Sequence, residues 1–406
     1  MGSEGEHAGV RKLLLAALAA TFLVPLSASA APDPGCGWLA KTEPDTVNVA
    51  FPDTNASYWS HPYADVPGTE LVVHGAYPRA RYFSFHVYQP TGVPVDSIYD
   101  AQLRPDRGSS NPFAGGSLTG RHEYTFRVVF TDRPAKPAPN TVYAGQSAAE
   151  QVKNPGGLLM LRVYTPTDAS SPQGGVPLPT VTTRTTTGTA LATGTACSND
   201  LPSTGGAGTS ALNATSPPGG PQADAGAEIS WGKAYGNKAA GFFGNQQNSY
   251  LTATINRAYG DLVVIRTRAP RFPDTKRGRY PSARDQLRYW SFCQNSGSTR
   301  VNACTADYQT AVDKQGYLTI VVSDPARRPT NATAAHGVTW LPWGPADAAG
   351  ILIYRHMVPA KAFYARSIQS LQKGDDPVRA MGDYYPTARY CTKAGFERAG
   401  FRGCLE

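Results

Sequence analysis

The sequence predicts an all-β protein built from two tandem antiparallel β-sandwich domains, followed by a short helical tail. Three observations support this fold class. The chain repeats itself in four matched blocks, each block is short and rich in β-branched and aromatic residues, and long helical periodicity is absent before the C-terminus. Short blocks of this composition, bounded by Gly, Pro, Asn or Asp, are typical of sandwich strands.

The internal repeat is clearest where residues 81–103 align with residues 288–310 without a gap. Three further blocks match in the same order: 70–73 with 261–264, 126–132 with 318–324, and 157–162 with 350–355. The residues that recur in the gap-free block are Arg81, Tyr82, Ser84, Phe85, Asp100 and Gln102, which reappear as Arg288, Tyr289, Ser291, Phe292, Asp307 and Gln309. Four blocks in one order indicate a duplication, so the two halves should share one fold.

The length of 406 residues also favours more than one domain, because a single hydrophobic core stops growing below this size. We assign 31–166 to the first sandwich and 227–359 to the second. Residues 167–226 read as a linker rich in Thr, Ser, Gly and Pro, with a possible extra strand near 176–183. Residues 360–406 form the predicted helical tail, in which 360–373 places Phe363, Ile368 and Leu371 on one helical face.

The N-terminus predicts export. Arg11 and Lys12 precede the apolar run 13–26, and small residues follow up to Ala30, which is the pattern of a signal peptide covering 1–30. No segment reaches the roughly 20 apolar residues that a membrane-spanning helix needs, so we expect a secreted protein without a transmembrane segment.

Six cysteines in an exported chain favour disulfide bonds over metal or redox chemistry. Spacing suggests that Cys293 pairs with Cys304 and that Cys391 pairs with Cys404 within a loop of the tail. Elimination then leaves Cys36 with Cys197, although other pairings remain open on spacing alone.

The C-terminal half carries a pattern of short motifs at a characteristic spacing. The pattern consists of Tyr289-Trp290-Ser291, Gly316 before the apolar run 319–322, Trp340-Leu341-Pro342, and Gly350 leading to Arg355 and Pro359. It resembles domain of unknown function 1214 over roughly 288–370. The resemblance implies jelly-roll-like β-sandwich modules found in exported or envelope proteins, with no established activity. The first half is a more divergent copy, since 142–144 stands where Trp-Leu-Pro is expected.

Two acidic and two basic positions recur in the repeat. Asp100 and Asp307 follow matched strands, and Arg162 and Arg355 end others. A structural clamp is needed once per domain, whereas a catalytic acid is seldom needed twice. We therefore predict structural contacts from Asp100 to Arg162 and from Asp307 to Arg355, each strong if bidentate and buried.

The halves differ most in one loop. In the first half 7 residues separate Val73 from Arg81, whereas 23 separate Val264 from Arg288 in the second. The candidate binding residues in and beside this insertion are Arg266, Arg268, Arg271, Lys276, Arg277, Arg279, Tyr280 and Arg284. Fixed cations beside aromatic rings suit an anionic cell-surface polymer or a small anionic ligand. The ordinary alternative is a solvated charged loop.

Catalysis is the competing interpretation. An extracellular hydrolase would need a site in the groove between the sandwiches, for which His86, Asp96 and His356 are candidates. No local nucleophile, zinc or nucleotide motif occurs. His74 and His86 on neighbouring predicted strands, with His61 nearby, could form an imidazole metal site, but isolated strand histidines are usually packed or surface residues, so we expect no metal and no cofactor. The net charge of +8 is too modest to predict nucleic-acid binding, and the sequence does not determine an oligomeric state.

Overall fold

The computed structural model describes residues 37–147 (except 40, 43, 46, 47 and 49), 151–194, 228–233, 243–344 (except 298) and 349–405. The predicted signal peptide, Cys36 and Cys197 lie outside the described residues. The proposed disulfide between these two cysteines therefore stays a prediction.

The first half folds into two facing sheets. Its strands are β1 (Ala56–Ala64), β2 (Thr69–Ala76), β3 (Ala80–Tyr88), β4 (Pro94–Tyr99), β5 (Glu123–Val129), β6 (Thr141–Tyr143), β7 (Gly156–Pro166), β8 (Thr180–Thr185) and β9 (Ala190–Thr193). One sheet has the order β1-β7-β3-β4, and the other has the order β6-β5-β2-β8-β9. Phe83, Phe85 and Leu161 from the first sheet meet Val73 and Phe126 from the second in a buried core.

The second half repeats this plan. Its strands are β10 (Gly232–Lys233), β11 (Asn248–Asn256), β12 (Leu262–Arg268), β13 (Leu287–Ser296), β14 (Val301–Ala306), β15 (Tyr317–Ser323), β16 (Val338–Pro342), β17 (Ala349–Pro359) and β18 (Thr387–Cys391). The sheet orders are β10-β11-β17-β13-β14 and β16-β15-β12-β18. Three short helices follow or flank the last strand: α1 (Pro377–Met381), α2 (Lys393–Ala399) and α3 (Arg402–Leu405).

Apart from β9 and β10, the two halves have the same strand order, as the duplication predicts. The all-β sandwich class with a short helical tail is confirmed. The ladders are antiparallel with one parallel pair in each half, β5 with β6 and β15 with β16. The parallel pairs recur because each follows a long connection, which lets the chain return in the same direction.

The sheets extend beyond the predicted domain boundaries. The extra strand expected near 176–183 is β8, and it pairs with β2 as a full member of the first sandwich. Its counterpart β18 lies in the tail and pairs with β12. The tail is thus part of the second sandwich, because the sheet needs this strand to cover the edge of β12.

Residues 360–373 do not form the expected helix. Two 3₁₀ turns occupy Tyr364–Arg366 and Ile368–Ser370 instead, while the true helices come later. Phe363, Ile368 and Leu371 are nevertheless buried in the second core. Apolar spacing over one short segment fits successive turns as well as a helix, so it identified the buried residues but not the backbone.

The disulfides Cys293–Cys304 and Cys391–Cys404 are confirmed. The first joins directly opposed residues of β13 and β14. The second closes the tail between β18 and α3. Within the described ranges, no helix combines the length and the apolar character of a membrane span.

Candidate functional site

The two sandwiches pack against each other through the sheets that contain β3 and β13. Both strands are buried along their whole length. Successive side chains of a strand point to opposite faces. Phe83 and Phe85 therefore face the first core, while Tyr82 and Tyr88 face the other half.

The interface between the halves is an apolar layer rich in tyrosine. It contains Ala56, Tyr58, Tyr82, Tyr88, Met160, Tyr164, Tyr289, Ala306 and Met357. The rings of Tyr164 and Tyr289, one from each half, meet edge to face at 5.4 Å. Such packing leaves the centre of the interface filled, so a ligand site between the halves has to lie at its rim.

Two buried ion pairs cross this interface reciprocally. Arg81 Nη1 of the first half lies 2.6 Å from Asp307 Oδ2 of the second. Arg288 Nη1 of the second half lies 2.7 Å from Asp100 Oδ1 of the first. Each carboxylate also accepts hydrogen bonds from backbone N–H groups of its own half. The repeated residues therefore hold one half to the other.

The predicted contacts within each half are wrong in their partners. Asp100 pairs with Arg288 rather than Arg162, and Asp307 pairs with Arg81 rather than Arg355. All four residues make structural contacts, but with partners other than the predicted ones. Arg162 donates to Tyr88 Oη and to the carbonyl of Phe243, and Arg355 Nη2 donates to the carbonyl of Phe51 at 2.6 Å. These arginines also cross the interface.

Phe51 and Phe243 belong to a fifth repeated block that the sequence comparison missed. Residues 51–58 match 243–250 at Phe51, Ser57 and Tyr58, which recur as Phe243, Ser249 and Tyr250. Both phenylalanines have positive φ, at 54° and 52°. A shared bend therefore presents a carbonyl to an arginine of the other half in each case.

Asp53 is a further buried charge at the interface that sequence reasoning missed. Its Oδ2 accepts from Tyr289 Oη at 2.9 Å and from Ser291 Oγ at 2.7 Å, and lies 3.6 Å from Arg355 Nη1. The counterpart of Asp53 in the fifth block is Asn245, which is uncharged. The interface thus departs from symmetry at this position.

The basic insertion after β12 is fastened to both halves. The carbonyl of Pro270 accepts from Trp290 Nε1 at 2.9 Å, and buried Thr275 accepts from Arg81 Nε at 3.1 Å. Tyr280 lies half-buried against Phe113 of the first half, with ring centroids 5.9 Å apart. These contacts fix the backbone of the loop, so its charges keep defined positions.

The candidate binding residues divide into exposed cations and anchors. Exposed side chains on or beside the insertion are Arg268, Arg271, Arg277, Arg279 and Arg284. Asp383, Asp274 and Asp285 neutralise three of them. Arg271 and Arg284 form no ion pair with any carboxylate among the described residues. Tyr280 is an anchor, and burial raises the pKa of its hydroxyl.

Arg266 does not lie on the insertion. It belongs to β12, where its Nη2 lies 2.7 Å from Asp313 Oδ2 and its guanidinium stacks on the ring of Phe401. A cation paired and covered in this way stabilises the sheet edge and is poorly placed to bind a ligand.

The three candidate catalytic residues do not come together. His86 is on the interface face of β3, where it accepts from the backbone N–H of Gln246. His356 faces the second core and accepts from the N–H of Ile368. Asp96 pairs with Arg133 at the surface of the first half. Strand alternation and this pairing place them in three different environments.

Their protonation also argues against acid–base catalysis. Burial lowers the pKa of His356 to about 3. Burial, reinforced by the charge of Arg162, also lowers the pKa of His86 well below its ordinary value. Efficient general acids and bases have pKa values near the working pH. Both imidazoles are therefore neutral hydrogen-bonding groups of the packed protein.

The histidines weighed as metal ligands are also separate. His74 is half exposed, with Nδ1 3.4 Å from Asp106 Oδ2, whereas His61 packs beside Trp38. Among the described residues, Asp53, Cys293 and Cys304 approach one another with ligand-type atoms. The two cysteines are joined as a disulfide, so this group does not offer thiolates.

Comparisons with known proteins give information about the fold and none about an activity. No family model matches the chain, and a search of curated proteins gives no match. The solved structure of an uncharacterized protein from Burkholderia cenocepacia is similar, with a TM-score of 0.52 and 12% identity over 88% of this chain and 82% of that one. The VPA0106 protein from Vibrio parahaemolyticus gives 0.43 and 12% identity, over 84% of this chain and 90% of that one. At this identity the first likeness concerns the fold alone.

Proposed function

We propose that this chain is a secreted, non-catalytic binding protein that holds an anionic cell-surface polymer against its basic insertion. One observation carries the proposal: exposed arginines are concentrated on a loop that only the second half possesses and that is fastened to both halves. A scaffold shared by two copies explains what they have in common, so an insertion in one copy is where a specific function is sought.

The arrangement suits an extended partner. The exposed arginines lie within 268–284, and Arg79 of the first half is close enough to Tyr280 for its charge to act on that hydroxyl. Arginine binds carboxylate, sulfate and phosphate groups through a planar fork of donors. Because the loop is fixed by its contacts, little ordering is needed when a polymer binds.

Export is part of the proposal. The pattern of residues 1–30 and the two disulfides support an oxidising, extracellular location. The resemblance of 288–370 to domain of unknown function 1214, a module of exported or envelope proteins, is proposed with it. The motif residues Tyr289, Trp290 and Ser291 are consecutive in β13, and Trp340 begins the Trp-Leu-Pro triplet in β16.

The test is adherence of the mature chain to immobilised polygalacturonate at increasing sodium chloride. We expect binding that weakens with salt, since exposed charges are screened over about 10 Å at 0.1 M. Replacing Arg271 and Arg284 with Gln should weaken adherence about five- to tenfold, because neither has an acidic partner to release and each exposed charge contributes about 1 kcal/mol or less.

A matched control removes the same charge elsewhere. Arg327 and Arg398 are exposed. Arg327 pairs with Asp261, which lies just before β12, whereas the basic insertion follows the other end of this strand. The variant R327Q/R398Q should therefore adhere like the original chain. Equal losses in both variants would mean that only net charge matters, and salt-independent adherence would rule out the basic loop as the contact.

A further inference from the structure

We propose that the rim of the interface carries a ligand pocket for a single sugar unit bearing one anionic group, with Lys276, Tyr308 and Thr165 as its recognition residues. The inference deepens the proposed function, on which it rests, by naming the unit of the polymer that is recognised. The pocket has a volume of about 410 Å³, within the usual range for small-molecule sites.

Both halves build the pocket. In the first half, Asn55 directly precedes β1, Ser57 lies at the start of β1 and Thr165 lies near the end of β7. Lys276 and Tyr308 come from the second half. Lys276 is the one candidate binding residue of the insertion that lines it. The pocket therefore connects the basic loop to a concave site.

The second-half residues are held in place. Lys276 Nζ lies 3.3 Å from the carbonyl of Thr167 and 5.8 Å from the centre of the Tyr308 ring. Tyr308 Oη donates to Asn55 Oδ1 at 3.1 Å. Lys276 forms no direct ion pair with any carboxylate among the described residues, and the charge of Asp168 acts on it only from a longer distance, so a direct contact with an anion is left for a ligand.

Thr165 places an unpaired hydroxyl in the wall of the pocket, with less than 1 Å² of accessible surface, so its side chain has to rotate before a ligand can reach it. Only 2% of its surface is exposed, and its hydroxyl has no hydrogen-bond partner among the described residues. Leaving a buried hydroxyl unpaired costs about 1–3 kcal/mol. Thr165 lies three residues after Arg162, and Val358 lies three residues after Arg355 in the other copy. Their φ angles are nearly the same, 49° for Thr165 and 45° for Val358, so the fold does not need a hydroxyl at this position.

The corresponding place in the other copy is built differently. The counterpart of Asn55 is Gln247, whose carbonyl accepts from Gln369 of the tail, and the counterpart of Tyr308 is Ala101. The first half also lacks the insertion that carries Lys276. Together with Thr165 in place of Val358, the pocket thus combines four differences between two copies that share their strand order.

The lining defines the class of ligand. Besides Lys276 and Lys41 it presents the polar groups of Thr54, Asn55, Ser57, Ser170 and Tyr308, together with the carboxylate of Asp45. A second negative charge inside the pocket would be repelled by Asp45, whereas sugar hydroxyls can donate to it, so one charged unit of a polymer enters the pocket and its neighbours lie outside. A hydroxyl-rich ring with one carboxylate or phosphate satisfies both requirements.

The experiment is calorimetric titration of the full mature chain with trigalacturonic acid and with glucose 6-phosphate, using maltotriose as the neutral control. We expect one or both anionic sugars to bind and maltotriose not to bind. Lys276→Met should weaken binding by at least about tenfold, and Tyr308→Phe by about threefold, since the first removes a charge and the second a hydroxyl.

Thr165→Val is the sharpest variant, because it installs the residue that the other copy already carries. It should weaken sugar binding by about fivefold without lowering the melting temperature, since an unpaired hydroxyl is removed. A purely structural Thr165 would leave the affinity unchanged. Binding that persists unaltered in both Lys276→Met and Thr165→Val would overturn the pocket.

The two proposals fail in different ways. If polygalacturonate adheres through the loop arginines but neither anionic sugar binds, the pocket is wrong and the binding surface stands. If R271Q/R284Q keeps full adherence while Lys276→Met abolishes sugar binding, the pocket stands and the loop surface is wrong. Equal binding of maltotriose would refute recognition of the anionic group.

Discussion

Replacing Asp307 with Ala is expected to lower the free energy of unfolding at pH 7 by about 3–5 kcal/mol. Arg81 has no exposed surface, and Asp307 is its acidic partner across the interface. A guanidinium cannot lose its proton in a protein, and the variant removes the oxygens that accept from it and from the N–H groups of Trp290 and Tyr308. A protonated Asp307 keeps these oxygens, so the alanine variant loses more than the negative charge. One Arg81 nitrogen, Nη2, already lacks a partner among the described residues, so little can compensate.

Chemical denaturation of the mature chain measures this loss. The control is Asp383→Ala, which breaks the exposed contact with Arg268 and should cost about 1 kcal/mol or less. The double variant Arg81→Met/Asp307→Leu should be more stable than Asp307→Ala, because it removes both charges. In double-mutant cycles, a larger coupling energy between Asp307 and Arg355 than between Asp307 and Arg81 would contradict the reciprocal pairing.

The same pairs show what a repeat can and cannot predict. Alignment of the two copies identified Asp100 and Asp307 and showed Arg81 recurring as Arg288. It could not decide whether an Asp contacts an Arg of its own copy or of the other, because a reciprocal contact produces the same pattern in sequence. The choice depends on which sheet faces pack together, and this is a tertiary property.

One sequence feature did point to that packing. The block from Tyr82 to Tyr88 is apolar or aromatic at most consecutive positions, without a solvated face. A strand covered on both faces has this composition, whereas a surface strand of a sandwich alternates. Applied to β3 and β13, the rule predicts that the second face is buried by another layer, which is the other half.

The candidate site was predictable only in part. The insertion drew attention to Lys276 because it breaks the repeat, and the spacing of local cysteines gave both described disulfides. Thr165 and Tyr308 carry no motif, and they become notable only when the fold brings them beside Lys276. Thr165 aligns with Val358 in the sequence, one residue before the recurring Pro166 and Pro359, but only the fold shows that its hydroxyl has no partner among the described residues.

The pH dependence of stability gives the second large effect. Burial raises the pKa of Asp307 to about 6, although the contact with Arg81 acts in the opposite direction. The folded-state pKa thus exceeds the ordinary 3.8. The contribution of this group to stability is fully present below pH 3.8 and is lost as the pH rises through about 6. The change corresponds to about 3 kcal/mol.

The direction of this change is tested by measuring the free energy of unfolding at pH 4, 5, 6 and 7 for the original chain and for Asp307→Asn. The variant keeps the shape of the side chain but does not titrate. The original chain should lose stability relative to the variant as the pH rises from 4 to 7. Arg81→Met should extend the loss above pH 6, because removing the guanidinium raises the carboxyl pKa further. Parallel curves for the original chain and Asp307→Asn would show that Asp307 titrates alike folded and unfolded, so that its pair with Arg81 fully offsets its burial.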